Sequence, residues 1–292
     1  GCNQAFCAVL TALAGAGDEV LLATPYYFNH EMWLTMNGIQ PRLVPCNPDD
    51  GLPEPAAFEA QIGPRTRAVV LVSPNNPTGA IYPPELLEQM AGLARRHGLA
   101  LVLDETYRDF VDPAGPPHRL FSRGDWRDCL ISLHSFSKSF SLTGYRVGAV
   151  VAGAEVLAAV EKFLDCAAIC PTHVSQLCAQ YALERLSEWR RQRCAQMRSR
   201  ARAFAGMFDS NSLGYRLVSV GAFFAYVRHP FEGRPSLQVA RDLAAEQNLL
   251  CLPGSMFGPG QDAFLRFSFT NVGEARFEEL FERLRYSQTS SS

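Results

Sequence analysis

Two lysines, Lys138 and Lys162, stand among 27 basic side chains; the others are all arginine. A position that keeps lysine in so arginine-rich a chain is a candidate for chemistry a guanidinium cannot do. Only an amine that sheds its proton forms a Schiff base with a carbonyl compound. Lys162 falls in a helix-like run over 155–164 and is the bland one of the pair. Lys138 lies in Ser135-Phe136-Ser137-Lys138-Ser139-Phe140, between an apolar run and Thr143-Gly144-Tyr145-Arg146. That setting suits pyridoxal phosphate. This cofactor needs a lysine for its aldehyde, an acid facing the pyridine nitrogen, donors to the ring oxygen, a stacking partner and a phosphate cup.

Residues of each type are present at the ends of apolar runs or in the loops after them. Ser135 and Arg146 are placed to reach a phosphate, where an always-charged fork suits a dianion. Asp104 closes the apolar run 99–103, and a carboxylate against the pyridine nitrogen keeps it protonated, making the ring an electron sink. Taken alone, an Asp after a strand reads first as a helix N-cap; its company decides. Tyr107 and Asn76 are candidate donors to the ring oxygen. Asn76 sits in the turn cluster 73–79, whose Asn-Pro and Gly also mark plain turns. Cys2 and Asn3 open a helix whose N-terminal amides form an anion site. Tyr27, after Pro25, could lie flat on the ring. The nine cysteines include no Cys-x-x-Cys pair and no His at zinc-ligand spacing, so no metal is expected.

These residues need a frame that brings strand ends together. The first half alternates short apolar runs with longer periodic stretches, the signature of βαβ units around a parallel sheet. Helices are expected over 4–13, 28–36, 84–96 and 154–164. Strands are expected over 19–23, 42–45, 68–72, 100–104, 130–134 and 146–151. In an open parallel sheet, ligands bind outside the carboxyl ends of the strands, which is where the candidates fall. After Pro171 a long helical stretch runs to Phe208, its arginines between 189 and 202 reading as a solvated face. Strands over 221–227, 249–252 and 265–269 and helices over 236–247 and 274–284 follow. The fold class is therefore α/β, a mainly parallel sheet flanked by helices with a smaller α+β C-terminal domain. Residues 1–187 form the large cofactor-binding domain and 188–292 the interdomain helix and small domain. The polar tail 287–292 reads as disordered.

A formal net charge of −2 leaves no electrostatic footprint for nucleic acid or an anionic membrane. No apolar run reaches the ~20 residues of a membrane span. Scattered, odd-numbered cysteines favour a reducing compartment, and a cytoplasmic location is expected. Gly1 stands where a start would carry Met, and because it sits in a working motif, a missing native start is expected.

Taken together, the motifs resemble those of the class I/II aminotransferases of pyridoxal phosphate fold type I. The resemblance runs from Gly1-Cys2-Asn3-Gln4-Ala5-Phe6 through 73–79, Asp104-Glu105-Thr106-Tyr107, 135–138 and Gly144-Tyr145-Arg146-Val147-Gly148 to Pro253-Gly254-Ser255-Met256-Phe257-Gly258. It implies a transaminase that moves an amino group from an amino acid to a 2-oxo acid, and a homodimer. In it Lys138 carries the cofactor and moves the substrate proton, with Asp104 and Tyr107 assisting, while Asn76 and Arg266 bind substrate, Arg266 by its α-carboxylate. Family members carry a further N-terminal segment, with part of the small domain and a substrate lid, that precedes the position of Gly1. A carbon–sulfur lyase would keep the same constellation. A transcription regulator sensing the cofactor would need a DNA-binding domain before Gly1.

Overall fold

The computed structural model of the chain describes residues 1–111, 115–211 and 213–289. Its first sheet comprises β1 (Glu19–Thr24), β2 (Gln40–Pro45), β3 (Thr66–Val72), β4 (Ala100–Asp104), β5 (Leu130–Ser135) and β6 (Gly148–Val151). They lie in the order β2-β1-β3-β4-β5-β6. The first five run parallel and β6 pairs antiparallel with β5. Around them pack α1 (Cys2–Leu13), α2 (Phe28–Met36), α3 (Pro55–Glu59), α4 (Pro84–Arg96) and α5 (Ala154–Ala167).

Successive side chains of a strand point to opposite faces. Leu21, Val69, Leu71, Leu101 and Leu103 pack with Leu87, Met90 and Leu93 of α4 on one face. Val20, Leu22, Val70, Val102, Ile131 and Leu133 pack with Phe6, Val9 and Leu10 of α1 and Val160 of α5 on the other. Burial on both faces explains the near-continuous apolar runs of β1, β3 and β4.

The stretch after Pro171 is two helices, α6 (His173–Arg185) and α7 (Ser187–Ser210). A second, antiparallel sheet has the order β7-β8-β10-β9. Its strands are β7 (Arg216–Gly221), β8 (Phe224–Arg228), β9 (Leu252–Pro253) and β10 (Phe264–Phe267), with α8 (Ser236–Gln247) and α9 (Phe277–Thr289) beside them. Phe204 of α7, Leu243 of α8 and Phe281 of α9 close its core.

Four expectations need correction. The strand expected over 146–151 starts at Gly148, because Arg146 takes a left-handed φ of 53° that ends the extended run. The strand expected over 221–227 is parts of two strands. Ala222, with φ 49°, turns the chain between β7 and β8. The strand expected over 249–252 is reduced to Leu252–Pro253. The tail expected to be disordered is helical to Thr289, since Ser287 is buried and its Oγ lies 2.9 Å from Tyr215 Oη. Residues 290–292 fall outside the described residues.

The two sheets meet at the carboxyl ends of β3 and β4. Gly79, with φ 75°, approaches the β7–β8 hairpin so closely that a Cβ there would collide with the Phe224 carbonyl and the Gly221 amide. Ser219 Oγ donates to Thr78 O at 2.8 Å across the same seam. Tyr107 and Phe110 pack there with Ala222, Phe224 and Cys194 of α7.

Candidate active site

The seam encloses a cavity of about 390 Å³ at the ends of β3, β4 and β5. Other hollows, of about 800, 650, 640 and 410 Å³, are larger, and the last adjoins the ends of β4 and β5 on the opposite face. Every residue singled out for the site in the sequence lines the seam cavity. Cys2 and Asn3 come from the start of α1, Tyr27 from the N-cap of α2, and Asn76 from the loop after β3. Asp104 and Tyr107 come from the end of β4, Ser135 and Lys138 from the end of β5, and Arg146 from the loop before β6. Arg266 reaches in from β10 of the second sheet.

Asp104 is the floor. Its Oδ1 accepts from the Thr106 amide at 2.9 Å and from Cys2 Sγ at 3.4 Å, and its Oδ2 lies 3.4 Å from His30 Nε2. The Thr106 bond closes a local turn and is not a helix N-cap, since the next helical turn, 108–110, has Tyr107 at its N-cap; the carboxylate serves the turn and faces the cavity as well. Burial pushes the Asp104 carboxyl up, but His30 and Thr106 outweigh it and hold it below the usual carboxylate range. The same carboxylate acts on Cys2, whose thiol is pushed up by burial and then by Asp104.

His30 was not among the residues found by sequence. It is 1% exposed and stacks on Phe6 at 3.9 Å. The available signal was its place one helical turn beyond Tyr27 on α2, where i and i+3 share a face. Thr106, Ser137 and Thr143, which lie inside the sequence motifs but were given no role there, also line the cavity, as do Phe28, Val72 and Phe224.

The turn cluster divides its work between two asparagines. Asn75 is structural: its Oδ1 accepts from Thr78 N and Oγ1 at 3.1 and 3.0 Å, and its Nδ2 donates to Tyr82 Oη at 3.1 Å. Asn76 turns to the cavity, where its Oδ1 accepts from Arg266 Nη1 at 2.8 Å. That bond assigns the amide and leaves Nδ2 as a free donor. Arg266 lies over the rings of Phe224 and Phe257 at 4.5 and 5.1 Å, and its buried Nε has no partner among the described residues.

Lys138 lies across the cavity, half-buried, with its amine pushed below its ordinary value by burial and then by Arg146 and Arg266. Burial, then the Asp104 charge, raises the Tyr107 phenol, so it stays a protonated donor. Arg146 donates to Thr143 O at 2.7 Å and closes over the start of α1; a Cβ on Gly1 would meet its Nη2 at 2.9 Å.

The donor set fits pyridoxal phosphate. A helix N-terminus, Ser135 and Arg146 surround an anion position, a buried carboxylate faces the ring position, and Tyr107 and Asn76 supply two donors. Arg266 brings a guanidinium into the same cavity.

The model of the family "Aminotransferase class I and II" matches residues 1–284. The arginine–pyruvate transaminase of Pseudomonas aeruginosa is 32% identical over 97% of this chain and 72% of its own length. The aspartate aminotransferase of Pyrococcus abyssi is 28% identical over 97% of this chain and 73% of its own. Among solved structures, the aromatic aminotransferase from Pyrococcus horikoshii superposes with a TM-score of 0.91 at 28% identity, covering all of this chain and 78% of that one.

Proposed function

The chain belongs to the class I and II aminotransferases and is a transaminase, and from that premise we propose that it works with pyridoxal phosphate carried by Lys138, between an amino acid and a 2-oxo acid. The observation that carries this reading is the meeting of Lys138, Asp104, Arg146 and Arg266 on one cavity. When bound, the cofactor supplies an aldehyde for the amino group and a ring that draws electrons from the substrate Cα.

The chain's own residues do the rest. Arg146, Ser135 and the amides of Cys2 and Asn3 bind the phosphate. Asp104, held ionised by His30 and Thr106, keeps a proton on the ring nitrogen. Asn76 and Tyr107 donate to the ring oxygen, and Tyr27 covers a ring face. Arg266 grips the substrate α-carboxylate, with Asn76 fixing its other end. Once the substrate amino group has taken its place on the cofactor, the freed Lys138 amine, shifted toward its neutral form, would take the proton from the substrate Cα and return it to the cofactor side. In this scheme residues 1–187 hold the cofactor, while 188–292 bring Arg266 to it.

We assign a homodimer to the active form. On α6, Val174, Leu177 and Tyr181 are more than half exposed at helical i, i+3, i+7 spacing, an apolar stripe a second copy would cover. The named relatives are all transferases, so nothing favours the lyase or the regulator. The test is a panel of amino donors given to the pyridoxal phosphate-loaded protein. At least one should convert its visible spectrum to the pyridoxamine form, and a 2-oxo acid should reverse the change. Ammonia release without oxo-acid dependence would contradict the proposal.

A further inference from the structure

On the sheet face turned away from the cavity, the chain gathers a second group of polar side chains, buried or partly buried, that the proposed reaction does not use. Side chains alternate along β4 and β5. Each cavity-facing residue at a strand end therefore has a neighbour that faces away. Asp104 is followed by Glu105, and Ser135 is preceded by His134.

Glu105 is 2% exposed. Its Oε1 lies 3.1 Å from His118 Nε2 and 3.6 Å from Arg108 Nη1. Its Oε2 accepts a hydrogen bond from Ser132 Oγ, which lies 2.9 Å from His134 Nε2. His134 Nδ1 faces Arg108 Nη1 at 3.5 Å. The ion pair of Asp109 with Arg190, at 3.2 Å, closes the outer side of this group.

One proton arrangement satisfies every member. Ser132 gives its single hydrogen to Glu105, so His134 must donate from Nε2 to Ser132 Oγ and accept from Arg108 at Nδ1. His118 donates to Glu105 from Nε2 and accepts from the Leu120 amide at Nδ1, 3.3 Å away. A fully satisfied buried network is rigid.

Such a group needs a reason. Burying a carboxylate and an imidazole, with a second imidazole and a guanidinium partly buried beside them, carries a desolvation cost that packed apolar side chains avoid. One step back along the same face the sheet is apolar, with Leu101, Leu103 and Leu130. The polar group begins at the end of the β4–β5 ladder, where Ser132 is registered with Leu103 and Asp104 opposite Leu133 is the last pair. Beyond it the ties are the Glu105 amide on Leu133 O, at 2.9 Å, and the Glu105 side chain.

We propose that Glu105 is a positioning residue, whose carboxylate, through Ser132, His118 and Arg108, fixes the spacing of the ends of β4 and β5. It thereby fixes Asp104, at the ring nitrogen, relative to Ser135, at the phosphate. The cofactor is one rigid body, so both grips are made at once only if that spacing is right. The inference rests on the pyridoxal phosphate reading above.

The test compares Glu105→Gln with the unaltered chain. A glutamine keeps the shape but turns one acceptor into a donor facing a donor. The dissociation constant for pyridoxal phosphate should rise roughly 3- to 30-fold, and the pH at which the bound cofactor's visible band titrates should shift. A residue that merely supports the fold would lower the melting temperature of the cofactor-free protein and leave both readouts alone; that result would overturn the proposal. If Glu105→Gln does not fold, Ser132→Ala removes one link, and an unchanged affinity and band titration would overturn the proposal equally. Absence of any visible band in the unaltered chain would sink the cofactor reading along with it. A normal band there with no effect of either variant would sink the positioning role alone.

Discussion

At the scale of single residues, charge decides what each group can do. Lys138 sits where burial and two guanidinium groups disfavour its ammonium form. The sign is direct: a lowered lysine pKa means the neutral, nucleophilic amine is populated at lower pH than in an ordinary lysine. Labelling of Lys138 in cofactor-free protein by an amine reagent, followed by mass spectrometry, should therefore rise with pH through a midpoint below the ordinary 10.5. A midpoint at or above that value would contradict the electrostatic account. Arg266 is the second case. Truncating one partner of a desolvated Arg–carboxylate pair typically costs roughly 2–5 kcal/mol, or roughly 30- to 4,000-fold in affinity. Arg266→Ala should accordingly weaken amino-acid binding by that order while retaining the cofactor spectrum. Half-reaction kinetics unchanged with every amino acid would remove Arg266 from the site.

At the scale of elements, the site depends on close approaches that only certain residues permit. Gly79→Ala would drive a Cβ into the backbone of the β7–β8 hairpin at Gly221 and Phe224 and hold alanine at a positive φ. The expected loss is at least about 2 kcal/mol, read by denaturant unfolding, with weaker cofactor binding because Asn76 moves with the loop. Unfolding like that of the unaltered chain would mean the sheets do not meet there. Elements with a clear periodic or apolar run were legible to the residue: α2, α4, β4 and α8 begin and end where the sequence pattern puts them. β7 was missed because, at the edge of the small sheet and mostly half-buried, it has no long apolar run. α3 has only five residues, too few for a helical period. The ten chosen site residues were legible because each has a chemistry tied to its type. His30 was not, because an imidazole that acts by holding Asp104 looks in sequence like any histidine on a helix.

At the scale of the whole molecule, the two sheets share the chemistry unequally. The first supplies the residues proposed for the cofactor, the second supplies Arg266, and the Asn76–Arg266 hydrogen bond of 2.8 Å ties the two together. A cofactor grip confined to one unit can form before the substrate grip from the other is complete. The exposed stripe on α6 extends the argument beyond one chain. Sedimentation should give a dimer, and Tyr181→Asp should shift it toward monomer; a monomer in the unaltered protein at micromolar concentration would contradict that assignment. All of this hangs on which amine holds the cofactor. The most direct test is to load the protein with pyridoxal phosphate, reduce it with borohydride and map the modified peptide. The account predicts a single pyridoxyl group on Lys138; a group on Lys162, or none on either lysine, would contradict it.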